Sequence, residues 1–110
     1  MSTTLDRGGA NADEITYAAL VKALEADAVA LVDVREGHEF DAGHVERSTL
    51  NALSVFDVEA LPRDKPIVLI CRSGNRSMTA LTAARAAGFT DIWHYKGGVM
   101  GWAREGGALV

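Results

Sequence analysis

The only cysteine of the chain, Cys71, opens the segment Cys-Arg-Ser-Gly-Asn-Arg-Ser, which ends at Ser77. A six-residue apolar run begins at Pro66 and includes this cysteine, and an alanine-rich helical pattern follows the segment. The thiol is therefore predicted to lie at a strand end, on a loop that opens a helix. Backbone N–H groups at a helix N-terminus stabilise negative charge, and the thiolate is the nucleophilic form of cysteine. This placement predicts a reactive sulfur.

The residues after the cysteine are suited to form a cradle for an anion. Two arginines, Arg72 and Arg76, add positive charge that favours both a thiolate and an anionic substrate. Arg76 is also predicted to fasten the loop by donating hydrogen bonds to backbone carbonyls. The residues between the arginines tolerate the tight, partly left-handed backbone that turns several N–H groups inward; they are Ser73, Gly74 and Asn75. A cysteine of the core would not normally precede such a polar turn, so a functional role is favoured over simple packing.

Two continuous apolar runs, at 29–34 and 67–71, indicate strands that are covered on both faces, as in a parallel sheet. Shorter strands are predicted at Ile15, over 48–51 and over 91–95, which gives a sheet of about five strands. Strands that alternate with helices indicate an α/β domain with helices on both faces of the sheet. Ligands of such domains bind at the carboxyl ends of the strands, where Cys71 is placed.

Helical patterns separate the predicted strands. Thr16 is a suitable N-cap for a helix whose apolar stripe contains Tyr17, Leu20, Val21 and Leu24. Further helices are predicted over 54–61 and over 75–87, the latter ended by Gly88. Residues 1–13 are small and polar and are expected to form a flexible N-terminal arm, with one domain over 14–110.

Composition narrows the classes of partner. The net charge is −4, and no run of lysine or arginine occurs, which argues against binding to nucleic acid or to an anionic membrane surface. A single cysteine allows no intramolecular disulfide. The start of the chain lacks the features of a secretory signal, and no apolar run approaches the roughly 18 residues needed to span a bilayer, so a cytoplasmic location is expected.

The histidines His38, His44 and His94 match no zinc-binding spacing, and neither a metal nor another cofactor is expected. His44 follows a glycine at a turn and is predicted to hydrogen-bond to backbone. His94 lies in an apolar predicted strand, and the sequence does not indicate which face of the sheet its side chain is on. A general base is not needed if the loop itself keeps Cys71 ionised.

Four segments, taken in order, resemble the rhodanese family of sulfurtransferases. Residues 31–36 are similar to its strand ending in Asp-Val-Arg, and residues 39–45 to its next helix and Gly-His-Ile turn. Residues 71–77 resemble its active-site loop, and residues 97–102 its closing Gly-Gly-x-x-x-Trp segment. The likeness covers nearly the whole chain and implies the three-layer rhodanese fold. One departure is Glu46-Arg47, where the family usually has Pro-Gly or a similar small turn.

The resemblance assigns roles to several residues. It implies that Asp33 and Arg35 are structural, tying neighbouring loops together by charge-assisted hydrogen bonds rather than acting as a catalytic base, and His44 is grouped with them as structural support. The glycines at 97 and 98 either allow close approach to the active-site loop or form a plain turn, the plain turn being the simpler account.

The resemblance also implies an activity: Cys71 takes the outer sulfur of an anionic donor such as thiosulfate and passes it, as a persulfide, to cyanide or a thiol. Four residues separate Cys71 from Arg76, the rhodanese spacing. Related phosphatases and arsenate reductases have five, so a cysteine phosphatase or arsenate reductase is a weaker alternative. A second alternative, a carrier module that receives persulfide sulfur from a partner protein, requires Cys71 equally and stays open.

Overall fold

A sheet of four parallel strands lies at the centre of the computed structural model, which describes residues 5–110. In the order in which they lie side by side, the strands are β2 (Thr49–Leu50), β1 (Ala30–Asp33), β3 (Ile67–Ile70) and β4 (Ile92–His94). The parallel α/β prediction is confirmed, with four strands in place of about five. Because β3 is an inner strand between β1 and β4, its carboxyl end lies near the middle of the row formed by the carboxyl ends of the strands.

The strand predicted at Ile15 is wrong. Only a single bridge forms there, between Glu14 and His94, and the Ile15 N–H donates to the His94 carbonyl at 3.2 Å. The chain leaves the sheet at once because Thr16 caps the following helix. The Thr16 hydroxyl accepts a hydrogen bond from the Ala19 N–H at 3.2 Å, as predicted for an N-cap.

Helices α1 (Tyr17–Glu25), α2 (Gly37–Ala42), α3 (Asn75–Ala86) and α4 (Gly98–Arg104) surround the sheet. The continuous helix predicted over 54–61 is wrong, since two 3₁₀ turns, Leu53–Val55 and Val58–Ala60, occupy this stretch. They are separated at Asp57, whose carboxylate accepts from the Glu59 N–H at 3.0 Å and whose N–H donates to the Asn51 side chain. A side chain that bonds to nearby backbone competes with continuous helix in this way.

The two faces of the sheet bury separate apolar clusters. On β3, Val68 and Ile70 face α1 and α4, whereas Ile67 and Leu69 face α3, and Cys71 continues the second set. Alternation along one strand therefore fixes which layer each side chain enters. It places the Cys71 thiol on the α3 face, directly below the loop that starts that helix.

The segment before α1 makes contacts with the domain. Arg7 donates hydrogen bonds to the carbonyls of Asn11 and Glu14, and the His94 N–H donates to the Asp13 carbonyl at 2.9 Å. Of the flexible arm expected over 1–13, residues 1–4 lie outside the described residues, and the domain boundary at residue 13 stays a prediction. None of the helices within 5–110 has the length and apolar character needed to cross a membrane.

Candidate active site

Cys71 directly follows β3 and is buried, with 1% of its surface exposed. The loop turns at Gly74, whose backbone is left-handed at φ 99°, and α3 begins at the next residue, Asn75. This backbone aims the Gly74 N–H at the sulfur, 3.1 Å from Sγ. The thiol thus lies at the N-terminus of a 12-residue helix, as predicted.

Hydrogen bonds around the sulfur decide its ionisation. Burial alone would raise the pKa of the Cys71 thiol. The Ser77 hydroxyl and the backbone N–H groups of Ser77, Gly74 and Ser73 act in the opposite direction, and together they hold this pKa below its ordinary value. The site therefore favours a thiolate through hydrogen bonds donated to the sulfur.

A buried polar chain continues from the thiol to β4. Cys71 Sγ lies 3.4 Å from the Ser77 hydroxyl oxygen, which in turn lies 2.8 Å from Nδ1 of His94. Ser77 and His94 are 0% and 3% exposed. The facing of His94, left open by the sequence, is thus toward the active-site loop.

Arg76 binds a carboxylate rather than the backbone carbonyls predicted for it. Its guanidinium donates to both carboxylate oxygens of Glu39, on α2, at 2.7 and 2.9 Å. Glu39 also accepts from the Glu36 N–H at 3.1 Å, which closes a capping box at the start of α2. The active-site loop is therefore fastened to α2, whereas Arg72 is exposed at the site.

We expect Glu39→Gln to lower the free energy of unfolding at pH 7 by about 1 kcal/mol, because both partners are partly exposed and solvent screens the pair. The hydrogen bonds from Arg76 are the main cause that lowers the pKa of Glu39 to about 2. A carboxyl with a lowered folded-state pKa stabilises the fold above its unfolded pKa and loses that contribution as the pH falls through the folded value. Urea denaturation from pH 7 to 2 checks this.

The difference between wild type and Glu39→Gln should be full above about pH 5 and should shrink toward zero near pH 2. Asp27→Asn is the control, because it removes the carboxylate of the more exposed Lys65–Asp27 pair, far from the loop in sequence. A smaller change is expected there. A Glu39→Gln effect that is independent of pH would contradict the assignment.

Glycines bring α4 against the active-site loop. At Gly98, with φ +65°, an added Cβ would lie 2.2 Å from the Arg72 carbonyl oxygen. At Gly74, it would lie 2.4 Å from the Lys96 carbonyl oxygen. The Val99 N–H donates to the Cys71 carbonyl at 2.8 Å. Gly98 is thus a site of close backbone approach and not the plain turn that was the simpler expectation.

Asp33 ends β1, and it forms an ion pair with Arg35 rather than contacting the sulfur. Arg35 donates from Nε and Nη2 to the buried Asp33 carboxylate, and its Nη2 also donates to the Gly43 carbonyl at 2.8 Å. As predicted, His44 bonds to backbone: its Nδ1 lies 2.9 Å from the Phe40 carbonyl oxygen. These contacts tie β1 to the end of α2, a geometry that fits structural support.

Sequence reasoning missed two residues at the site, Glu39 and His94. A partial signal existed for His94, since it lies near the end of the strand predicted over 91–95. That this strand pairs with β3, which precedes the cysteine, is shown only by the structure. For Glu39, the capping-box pattern Glu-x-x-Glu indicated a helix start, but nothing in the pattern indicated Arg76 as a partner.

A family model described as "Rhodanese-like domain" matches residues 16–105. The chain is 38% identical over 81 residues to a probable adenylyltransferase/sulfurtransferase MoeZ of Mycobacterium tuberculosis, covering 70% of this chain and 21% of that protein. It is 34% identical over 105 residues to a tRNA uridine(34) hydroxylase of Escherichia coli, covering 86% and 30%. The chain therefore spans less than a third of either relative.

Solved structures of rhodanese-related proteins share this fold. A rhodanese-related protein of Thermoplasma volcanium superposes with a TM-score of 0.80 at 31% identity, covering 89% of this chain and 97% of that one. The human single-domain sulfurtransferase TSTD1 shares the fold, with a TM-score of 0.74 at 21% identity, over 87% and 98%. With a matching family model over most of its length, the chain belongs to the rhodanese-like domain family.

Proposed function

We propose that this protein moves a sulfane sulfur from an anionic donor such as thiosulfate to cyanide or a thiol through a persulfide on Cys71. The observation that carries the proposal is the bond from the Gly74 N–H to Sγ at 3.1 Å, in a loop whose N–H groups lower the pKa of the thiol. A sulfur so placed is a preorganised nucleophile.

The two steps balance without a cofactor. The Cys71 thiolate attacks the outer sulfur of thiosulfate, a new S–S bond forms, and sulfite leaves with the electron pair of the broken S–S bond. An acceptor thiolate or cyanide then attacks the outer sulfur of the persulfide, and the thiolate is released again. The N–H groups around Sγ stabilise the negative charge at the start and at the end of this cycle.

Intact-mass analysis tests the proposal directly. The purified protein is measured before thiosulfate, after it, and after subsequent cyanide, beside Cys71→Ala. A gain of one sulfur atom that requires Cys71, and that cyanide removes as thiocyanate, supports transfer. No adduct on a thiol that is still ionised would reject thiosulfate as the donor.

Arg72→Ala is expected to raise the KM for thiosulfate several-fold and to lower kcat by less, because the exposed guanidinium attracts the anionic donor in the ground state as well as in the transition state. Steady-state thiocyanate formation measures both constants. Arg63→Ala is the matched control, since it removes the same charge from an exposed residue on the segment before β3. An unchanged KM in Arg72→Ala would remove the donor-binding role.

A carrier module is the second candidate. It is favoured by the relation to a protein named an adenylyltransferase/sulfurtransferase, in which the matched part is 21% of the length. In that case a protein persulfide, rather than thiosulfate, loads Cys71. Loading from a persulfidated donor protein that is at least tenfold faster than loading from thiosulfate, at equal concentrations, would favour the carrier over the free-standing enzyme.

A further inference from the structure

Three buried polar side chains form a continuous hydrogen-bonded chain behind the nucleophile. Cys71 follows β3, Ser77 lies in the first turns of α3, and His94 ends β4. The sulfur and the Ser77 oxygen are 3.4 Å apart, and that oxygen and Nδ1 of His94 are 2.8 Å apart. Since all three residues are at most 3% exposed, water has little access to the chain.

We propose that His94 is a positioning residue that exchanges a proton with Cys71 through the Ser77 hydroxyl, so that thiol and imidazole ionise as a coupled pair. The inference deepens the proposed function, because it concerns the same nucleophile and rests on that role of Cys71. It assigns to His94 a part in preparing the thiolate and no contact with the sulfur donor.

The exchange conserves every proton. Before it, the thiol S–H donates to the Ser77 oxygen, and the Ser77 O–H donates to the lone pair of Nδ1. The S–H bond then breaks as a new O–H bond forms, and the former O–H bond breaks as an N–H bond forms at Nδ1. Afterwards, imidazolium donates to the hydroxyl, and the hydroxyl donates to the thiolate. Both hydrogen bonds persist with their directions reversed, and no oxidant or reductant is needed.

The Ser77 hydroxyl could also donate to the Gly74 carbonyl, but that hydrogen bond is the weaker of the two. The Gly74 carbonyl oxygen lies 3.3 Å from the Ser77 oxygen, longer than the 2.8 Å separation to Nδ1. The backbone of His94 is fixed by two bonds, from its N–H to the Asp13 carbonyl at 2.9 Å and from the Ile15 N–H to its carbonyl at 3.2 Å. The backbone of His94 is therefore fixed by the segment before α1, at a position from which Nδ1 lies within hydrogen-bond distance of the Ser77 oxygen.

Burial and nearby charges determine the protonation state of His94 before the proton exchange. Burial is the main cause that lowers the pKa of His94, so the neutral ring offers a lone pair to the hydroxyl. Glu14 and Asp13, before α1, raise this pKa, whereas Lys96, after β4, and Arg85, on α3, lower it. A thiolate at Cys71 adds negative charge that favours the imidazolium against the effect of burial, which is the coupling that the proposal requires.

The thiolate absorbance of Cys71 in the ultraviolet, followed against pH, tests the coupling without any need for a reagent to reach the sulfur. His94→Asn keeps an amide near the position of Nδ1 but accepts no proton. We expect the thiolate midpoint to rise by about one pH unit, which corresponds to about tenfold less thiolate at pH values below the midpoint. His38→Asn is the matched control on an exposed histidine and should leave the midpoint unchanged.

The imidazole titration of His94 by NMR is the second measurement and decides alone if His94→Asn does not fold. In Cys71→Ala no thiolate can form, and the His94 midpoint is expected to fall relative to wild type. The proposal would be overturned if the thiolate midpoint does not rise in His94→Asn, or if the His94 midpoint is the same in Cys71→Ala as in wild type. Neither measurement uses a sulfur donor. The coupling of Cys71 and His94 is therefore tested independently of whether the protein accepts sulfur from thiosulfate.

Discussion

Cys71→Ser is expected to abolish sulfur transfer, by more than about a thousandfold, while the fold is retained. A serine hydroxyl is close in size to the thiol and can still bond to the Gly74 N–H and the Ser77 hydroxyl. Its oxygen, however, does not ionise near neutral pH and forms no persulfide. The loop that lowers the pKa of the thiol then has no nucleophile to stabilise.

Thiocyanate formation from thiosulfate and cyanide measures this loss, and thermal unfolding of the same preparation measures the fold. The melting temperature should remain within a few degrees of wild type, since the substitution changes a single buried atom and the new hydroxyl keeps hydrogen-bond partners at Gly74 and Ser77. Transfer that survives in folded Cys71→Ser would refute persulfide chemistry at this residue.

Gly74→Ala is expected to have the largest effect on both stability and activity among loop substitutions that spare the sulfur. At φ +99°, an alanine is strained by about 1–2 kcal/mol. Its Cβ would also lie 2.4 Å from the Lys96 carbonyl oxygen, and backbone must move to relieve that contact. Because the same residue donates to Sγ, the shift displaces a hydrogen bond that stabilises the thiolate.

We expect Gly74→Ala to lower the free energy of unfolding by at least about 3 kcal/mol and to reduce transfer more than tenfold. Gly88→Ala is the matched control: its φ is +101°, and an added Cβ there meets nothing within 4 Å. Gly88→Ala carries the same backbone strain without the contact. We therefore expect it to lower the free energy of unfolding by about 1–2 kcal/mol and to leave sulfur transfer unchanged. Urea denaturation and the thiocyanate assay compare the two. Equal losses would show that left-handed strain, and not contact with the Lys96 carbonyl, dominates.

The strand, loop and helix around Cys71 could be predicted because their signals are local. A continuous apolar run, a Ser-Gly-Asn turn and an alanine-rich pattern follow each other within 67–87, and each fixes its own backbone. The predicted helix over 75–87 agrees with α3 at Asn75–Ala86 for this reason. The stretch over 54–61 failed because Asp57 bonds to nearby backbone and to Asn51, an alternative to helix that apolar spacing does not reveal.

The contacts that complete the site join residues far apart in the chain. Arg76 reaches Glu39 on α2, and Ser77 reaches His94 at the end of β4. Such pairs depend on strand order and on which face each helix covers, and neither is encoded in the spacing of one segment. Sequence could therefore predict the nucleophile and its N–H cradle, but not the second set of side chains that hold them.

The depth of Cys71 gives the proposed transfer a direction. With 1% of the residue exposed, the bare sulfur is poorly accessible to a bulky thiol. A sulfur atom added to it stands about 2.05 Å further out, at the length of an S–S bond. The loaded protein would thus offer the outer sulfur at the surface. Its Sγ would stay shielded from a bulky acceptor thiolate, whose attack there would expel hydrosulfide and leave a mixed disulfide at Cys71. In the proposed cycle, steric shielding of this kind would direct the acceptor to the outer sulfur, so that Cys71 is released as the thiolate.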